Sequence, residues 1–144
     1  MKIWKKQFSL QGLKQSRTDS LVDHLGIEIT DIGDDFITAS MPVDKRTHQP
    51  MGILHGGASI ALAETVGSMA AYLAVDDKHF CVGLEVNGNH LKSIKTGFVY
   101  ATAKPVHLGR STQVWDIRIK DEAGNKICIS RLTMAVLSKT ESNK

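Results

Sequence analysis

The stretch Gln49-Pro50-Met51-Gly52-Ile53-Leu54-His55-Gly56-Gly57, followed by Glu64 inside an apolar run, is where this chain of 144 residues concentrates groups that could do chemistry. Glycines at a helix start leave backbone N–H groups bare and approachable. Those donors, together with the helix dipole, suit a carbonyl oxygen that is gaining negative charge. A plain glycine-rich start of a helix has the same composition. Glu64 is harder to absorb into packing, because a carboxylate in the middle of an apolar helix costs several kcal/mol unless it is paired or reaches a cavity. Ser68 falls one turn later on the same face and could hydrogen-bond Glu64 or hold a water beside it. The alternative is an interfacial glutamate paired with an arginine or histidine.

Spacing constrains any joint role. Gly56 and Glu64 are eight residues apart, roughly 12 Å along one helix at 1.5 Å per residue, so they cannot both touch one carbonyl. If they serve one reaction centre, Gly56 comes from one protomer and Glu64 from its partner, with two equivalent sites per symmetric dimer.

Other chemistries find little support. The histidines, at positions 24, 48, 55, 79, 90 and 107, show neither the HxxxH nor the HExxH spacing of a helical metal site, so no metal is expected. A Gly-x-Ser-x-Gly elbow is absent, and neither Cys81 nor Cys128 sits at an evident electropositive helix start. The two cysteines lie far apart without a CxxC pair, which argues for reduced thiols rather than a disulfide framework or zinc ribbon. Glu85 alternates with Val82, Leu84 and Val86 and reads as a satisfied strand carboxylate. Two clusters, Asn87-Gly88-Asn89-His90-Leu91-Lys92-Ser93 and His107-Leu108-Gly109-Arg110-Ser111-Thr112, mix a cation with hydroxyl or amide donors near a glycine. Such a mixture could cradle a phosphate, and a solvated turn has the same composition.

The elements that must position these groups follow from periodicity. Ala58 to Ala74 is too long and too continuous for a strand and predicts a buried helix, with small residues (Ala61, Ala63, Gly67, Ser68, Ala70, Ala71) admitting close neighbours. Before it, Ser9 caps a short helix through about Gln15, Arg17 to Asp19 form a connector, and Leu21 to Leu25 form a second short helix. Ile27–Asp31 and Phe36–Val43, separated by Gly33-Asp34-Asp35, read as an antiparallel pair, and Pro42 and Pro50 bracket an irregular loop. After the helix, strands are expected at Phe80–Leu91, Phe98–Val106, Gln113–Lys120 and Lys126–Leu137, the last two joined by Asp121-Glu122-Ala123-Gly124-Asn125. Trp115, Ile117 and Ile119 share the apolar face of the third. The order is hairpin, buried helix, long antiparallel meander: an α+β fold of about six strands facing one helix. One sheet cannot cover every side of so apolar a helix, so self-association is expected.

Composition agrees with one compact domain over residues 1–138 and a polar tail at 139–144, with 42% hydrophobic residues and a formal charge of +3. That charge is too small and too interspersed for a nucleic-acid footprint. The basic N-terminus lacks an apolar core and cleavage site, and the apolar run from Ala58 is interrupted by Ser59, Glu64, Thr65 and Ser68. Neither a secretory signal nor a membrane span is expected, and the cytoplasm is the expected location.

At Gln49, His55-Gly56-Gly57-Ala58 and Glu64 the sequence resembles the hot-dog-fold acyl-CoA thioesterases, in the branch that includes phenylacetate-pathway thioesterases, 4-hydroxybenzoyl-CoA thioesterase and 1,4-dihydroxy-2-naphthoyl-CoA hydrolase. Gly33-Asp34-Asp35, Met41-Pro42-Val43-Asp44, Val82-Gly83-Leu84-Glu85 and Val106-His107-Leu108-Gly109 extend the resemblance over nearly the whole chain. The resemblance implies a sheet wrapped round the long helix, dimers with continuous sheets, and commonly a dimer of dimers. It implies that Glu64 attacks the thioester or activates water, that the Gly56 N–H polarises the carbonyl, and that Gln49 and His55 orient that end of the site. By the same resemblance Gly83, His90, Leu91, Lys92, Ser93, His107, Leu108, Gly109, Arg110, Ser111 and Thr112 line the route for the CoA arm and phosphates. Lys92 stands where relatives often carry arginine, a point charge in place of a bidentate fork.

The implied activity is hydrolysis of an aromatic or medium-chain acyl-CoA, 1,4-dihydroxy-2-naphthoyl-CoA foremost, with no cofactor beyond the CoA of the substrate. A hydratase or dehydratase of acyl thioesters, using His55 or His90 as base, and a non-catalytic acyl-CoA-binding subunit remain as alternatives.

Overall fold

The computed structural model describes residues 1–15 and 19–140. Of the connector expected at Arg17–Asp19 only Asp19 lies among them, and of the tail at 139–144 only the first two residues.

Serine chemistry starts the chain's first helix as expected: Ser9 Oγ accepts the Gly12 N–H at 3.0 Å ahead of α1 (Leu10–Gln15). A second short helix, α2 (Leu21–His24), leads into strands β1 (Glu28–Ile32) and β2 (Ile37–Val43), which pair antiparallel. Pro42 belongs to β2, opposite Phe98, so the irregular loop begins only at Asp44. The long helix α3 (Gly56–Leu73) follows, then β3 (His79–His90), β4 (Gly97–Leu108), β5 (Thr112–Asp121) and β6 (Lys126–Ser138).

The meander is the one topological expectation that needs correction. The sheet order is β1-β2-β4-β5-β6-β3, so β4, β5 and β6 form a meander while β3 lies at the far edge against β6. Residues 91–96 carry the chain from β3 to β4 past the start of α3, where the Leu54 N–H donates to Ile94 O at 2.8 Å. Six extended residues reach roughly 20 Å, enough to cross three strand spacings of about 4.8 Å.

Alternation along β3 is also broken. The register with β6 shifts between Gly83 and Glu85, which leaves Leu84 as a bulged residue. Gly83 and Val86 oppose the buried Met134 and Leu132 and face the helix, whereas Val82 and Glu85 face outward; Val82 and Val86 therefore do not share a face. Glu85 accepts from Asn87 Nδ2 at 3.1 Å, the satisfied strand carboxylate that was expected.

The core lies between α3 and one face of the sheet. Leu62, Ala63, Val66 and Ala70 of the helix pack on Ile37, Ala39 and Met41 of β2, Val99, Ala101 and Ala103 of β4, and Trp115, Ile117 and Ile119 of β5, all fully buried. Gly67 is where the helix comes closest to the sheet: a Cβ there would stand 2.6 Å from Leu132 Cδ2. The opposite side of α3 is not covered by the sheet, and Glu64 and Tyr72 are exposed there.

Candidate active site

Helix α3 starts with a specific allocation of donors. His55, in extended conformation (φ −68°, ψ 129°), is the N-cap, and its Nδ1 accepts the Gly57 N–H at 2.7 Å. The Ala58 N–H donates to His55 O at 3.0 Å. The Gly56 N–H makes no hydrogen bond among the described residues and is the donor left over. Accepting at Nδ1 requires that nitrogen to be unprotonated, so neutral His55 carries its proton on Nε2 and has no free lone pair with which to act as a base.

The preceding loop is fixed by the turn from Asp44. The Thr47 and His48 N–H groups both donate to Asp44 O at 2.9 Å, and the Gln49 N–H donates to Ile53 O at 2.9 Å. Gln49 Oε1 accepts the Met51 N–H, which leaves the amide nitrogen of Gln49 without a partner among the described residues. A cavity of about 320 Å³ gathers Gln49, Gly56, His90, Leu91, Lys92 and Ser93, together with Ser59, a buried residue that sequence reasoning passed over. His90 packs directly on Gly56: a Cβ on that glycine would stand 2.9 Å from His90 Nε2. No larger residue fits there without displacing the imidazole.

Glu64 occupies a separate place. It is exposed, carries no hydrogen bond or ion pair among the described residues, and Ser68 does not bond it. The expected cost of burying a carboxylate is therefore avoided by exposure rather than by pairing. Its carboxylate stands beside Gly83 of β3, with Oε1 3.7 Å from where a Cβ on that glycine would be. Glu64 and Ser68 lie on the wall of a chamber of about 900 Å³ between α3 and the N-terminal residues. Ala61, Thr65, Met69 and Tyr72 share that wall. Their spacing from Glu64 is that of one helix face, the signal by which sequence could have found them.

The two loop clusters are not brought together within one chain. His90 pairs with Cys128 of β6, whereas Thr112 pairs with Ala135, seven residues along the same strand. That is roughly 23 Å at 3.3 Å per residue. Between β4 and β5, the Gly109 N–H donates to Thr112 O at 2.8 Å, and a Cβ on Gly109 would stand 2.9 Å from that same backbone oxygen, so this turn favours glycine. Leu108 and Arg110 are exposed, as are Ser111 and Thr112, and Arg110 forms no ion pair among the described residues. Lys92 lies near Asp121, whose carboxyl is held below its ordinary range by the Asn125 amide and further lowered by Lys92.

Among the described residues no group of three or more His, Cys, Asp or Glu side chains is placed to hold a metal ion. Both cysteines are free, with thiols pushed up by burial. Among the described residues no helix is long and apolar enough to cross a membrane.

An unpaired carboxylate on an apolar chamber, and a spare backbone donor at a glycine-rich helix start on the same helix, are parts suited to acyl transfer. Residues 51–128 match the Thioesterase superfamily family model. The chain belongs to the thioesterase superfamily. It is 51% identical to proofreading thioesterase EntH of Cronobacter turicensis, with 94% of this chain and 98% of that protein covered. It is 49% identical to 1,4-dihydroxy-2-naphthoyl-CoA hydrolase of Escherichia coli, over 94% of this chain and 99% of that one. The crystal structure of thioesterase HI1161 from Haemophilus influenzae superposes with a TM-score of 0.95 at 49% identity, covering 99% of both chains. This member of the superfamily therefore has the hot-dog fold and is a thioester hydrolase.

Proposed function

We propose that this thioesterase hydrolyses an aromatic or medium-chain acyl-CoA, 1,4-dihydroxy-2-naphthoyl-CoA foremost, to the free acid and CoA at a site shared between two protomers. The observation that carries the reading is the unpaired Glu64 carboxylate on the wall of the apolar chamber, beside Gly83 of the edge strand β3.

Sharing follows from the edge. β3 is twelve residues long, is unpaired on one side among the described residues, and exposes Phe80, Val82 and Leu84. Such an edge is a template for pairing with a second copy. Antiparallel pairing of β3 with its twofold mate sets the His90 end of one protomer beside the Phe80 end of the other. The same operation brings Gly56, which lies against His90, toward Glu64 of the mate, which lies against Gly83. It also brings His90–Ser93 of one protomer toward the His107–Thr112 turn of the other, making one continuous CoA route from two separated clusters. A dimer of dimers in the cytoplasm, acting in menaquinone biosynthesis, completes the reading.

In the general-base form, Glu64 takes a proton from water as its oxygen adds to the thioester carbonyl. The charge that collects on the carbonyl oxygen faces the Gly56 N–H of the partner helix, and the Gln49 amide nitrogen supplies a second donor. The C–S bond then breaks, and the CoA thiolate receives the proton. In the nucleophilic form the Glu64 oxygen itself adds to the carbonyl, CoA leaves, and water cleaves the resulting anhydride. Label found in Glu64 after a single turnover in isotopically labelled water establishes the nucleophilic form, because only water attack on the Glu64 carbonyl of the anhydride places it there.

The test is chromatographic measurement of free CoA from a panel of acyl-CoAs, with Glu64→Gln beside the native protein. Release that falls by about 100-fold or more in the variant supports the reading. Undiminished release refutes it. Saturable binding of acyl-CoA without product would favour the binding subunit. The hydratase reading is weakened by the Nδ1 bond of His55, which leaves that ring no free lone pair.

A further inference from the structure

The first eight residues supply no catalytic candidate, yet they are tied down at several points. Trp4 is buried, stacks on Trp115 with ring centroids 6.4 Å apart, and donates from Nε1 to Gly33 O at 2.7 Å. The N–H groups of Lys5 and Lys6 both reach Leu73 O, at 2.8 and 3.2 Å. Lys6 Nζ donates to Asp76 O at 2.7 Å, just beyond the C-terminal end of α3 where a cation suits the helix dipole, and lies 4.8 Å from the centre of the Tyr72 ring. Phe8 meets Trp4 edge-on at 6.3 Å.

This fixed strap faces the helix that carries Glu64. Phe8 and Leu13 from the strap and α1, with Leu21 and Val22 from α2, form one wall of the chamber of about 900 Å³, and Glu64, Met69 and Tyr72 belong to the other. From Glu64 to Tyr72 is eight residues, so an acyl group running along the helix from the carboxylate to the Lys6–Tyr72 contact spans roughly 12 Å. Polar groups are sparse along the way, and the Thr65 hydroxyl is committed to Ala61 O at 2.6 Å. The match to the family model begins only at residue 51, so the wall facing Glu64 is built outside it.

We propose that the N-terminal strap, with α1 and α2, is a specificity wall that limits the length and bulk of the apolar acyl group presented to Glu64. The proposal rests on the thioesterase reading above and adds which residues select the acyl group. A wall that is separate in sequence from the carboxylate and the helix start can change selectivity without altering the groups that act on the carbonyl.

The test is kcat/KM of the full chain for acetyl-, hexanoyl-, dodecanoyl-, benzoyl- and naphthoyl-CoA, measured for the native protein, Leu13→Trp and Phe8→Ala, each with its thermal unfolding temperature. Filling the chamber with Leu13→Trp is expected to lower the ratio of dodecanoyl to hexanoyl turnover about tenfold, and Phe8→Ala to raise it. A single common factor across all esters, or an unchanged ratio in both folded variants, overturns the proposal. If the native protein cleaves no CoA ester, the acyl-CoA reading fails on its own. The wall is then judged by binding of anilinonaphthalene sulfonate. Saturable binding that Leu13→Trp weakens supports the wall, and equal binding by all three proteins overturns it.

Discussion

His55 Nδ1 accepts the Gly57 N–H at 2.7 Å, and this bond determines which backbone donor at the start of α3 is left without a partner among the described residues. With Gly57 capped by the imidazole and Ala58 bonded to His55 O, the Gly56 N–H remains, in the cavity it shares with Gln49 and His90. The histidine therefore caps the helix and, in the proposed site, selects the donor.

Replacing His55 tests the cap directly. His55→Ala is expected to lower stability by roughly 1 kcal/mol, and His55→Asn, which restores an acceptor at the N-cap, to recover most of it. Thermal unfolding of the three proteins checks this.

Gly67 tests the helix-to-sheet contact. A Cβ there would stand 2.6 Å from Leu132 Cδ2 and 3.3 Å from Ile117 Cδ1, both in the core. Gly67→Val is expected to destabilise the fold by about 1–3 kcal/mol through overpacking. Urea unfolding gives the value.

Acid behaviour should betray the turn that leads to Gln49. The Arg46 guanidinium and backbone N–H hold the Asp44 carboxyl down at about 2, well below its ordinary 3.8. Because the charged form is the one favoured by folding, its contribution is present above pH 3.8 and lost as pH falls through about 2. The pair is largely solvent-exposed, so the effect is small. Asp44→Asn is expected to lower the unfolding temperature near neutral pH, and the gap from the native protein should narrow as pH approaches about 2.

Burial pushes both the Cys81 and Cys128 thiols up, which lowers their thiolate fraction near neutral pH. Alkylation by iodoacetamide should be slower than that of free cysteine at the same pH, and Cys81→Ala should still release CoA. Mass spectrometry and the CoA assay check the two parts.

Much of the fold was legible because it is written in local period and turn chemistry. The alternation of Trp115, Ile117 and Ile119 against Asp116, Arg118 and Lys120 specifies a half-buried strand, and all three apolar members are fully buried. The place of β3 was not legible, since period says which face a residue takes but not which strand lies beside it. The bulge at Leu84 likewise defeats simple alternation. The helix-start half of the candidate site was readable from glycine chemistry, and its separation from Glu64 from helix rise alone. The chamber wall was not, because Trp4 meets Trp115 across most of the chain and no local pattern announces that stacking.

The shared site is tested most directly by a heterodimer that carries Glu64→Gln in one protomer and Gly56→Pro in the other. His55 already holds the extended conformation that a residue before proline adopts, so helix α3 is retained with proline at its first position. The substitution removes the N–H and displaces the His90 imidazole packed on Gly56, and both losses fall in the same half of the site. Each homodimer is expected to be inactive. The heterodimer, purified through two different tags, should retain about half of the native rate, because one of its two composite sites has both native halves. A heterodimer as inactive as its parents would show that Gly56 and Glu64 of the same chain serve one centre, and would contradict the account.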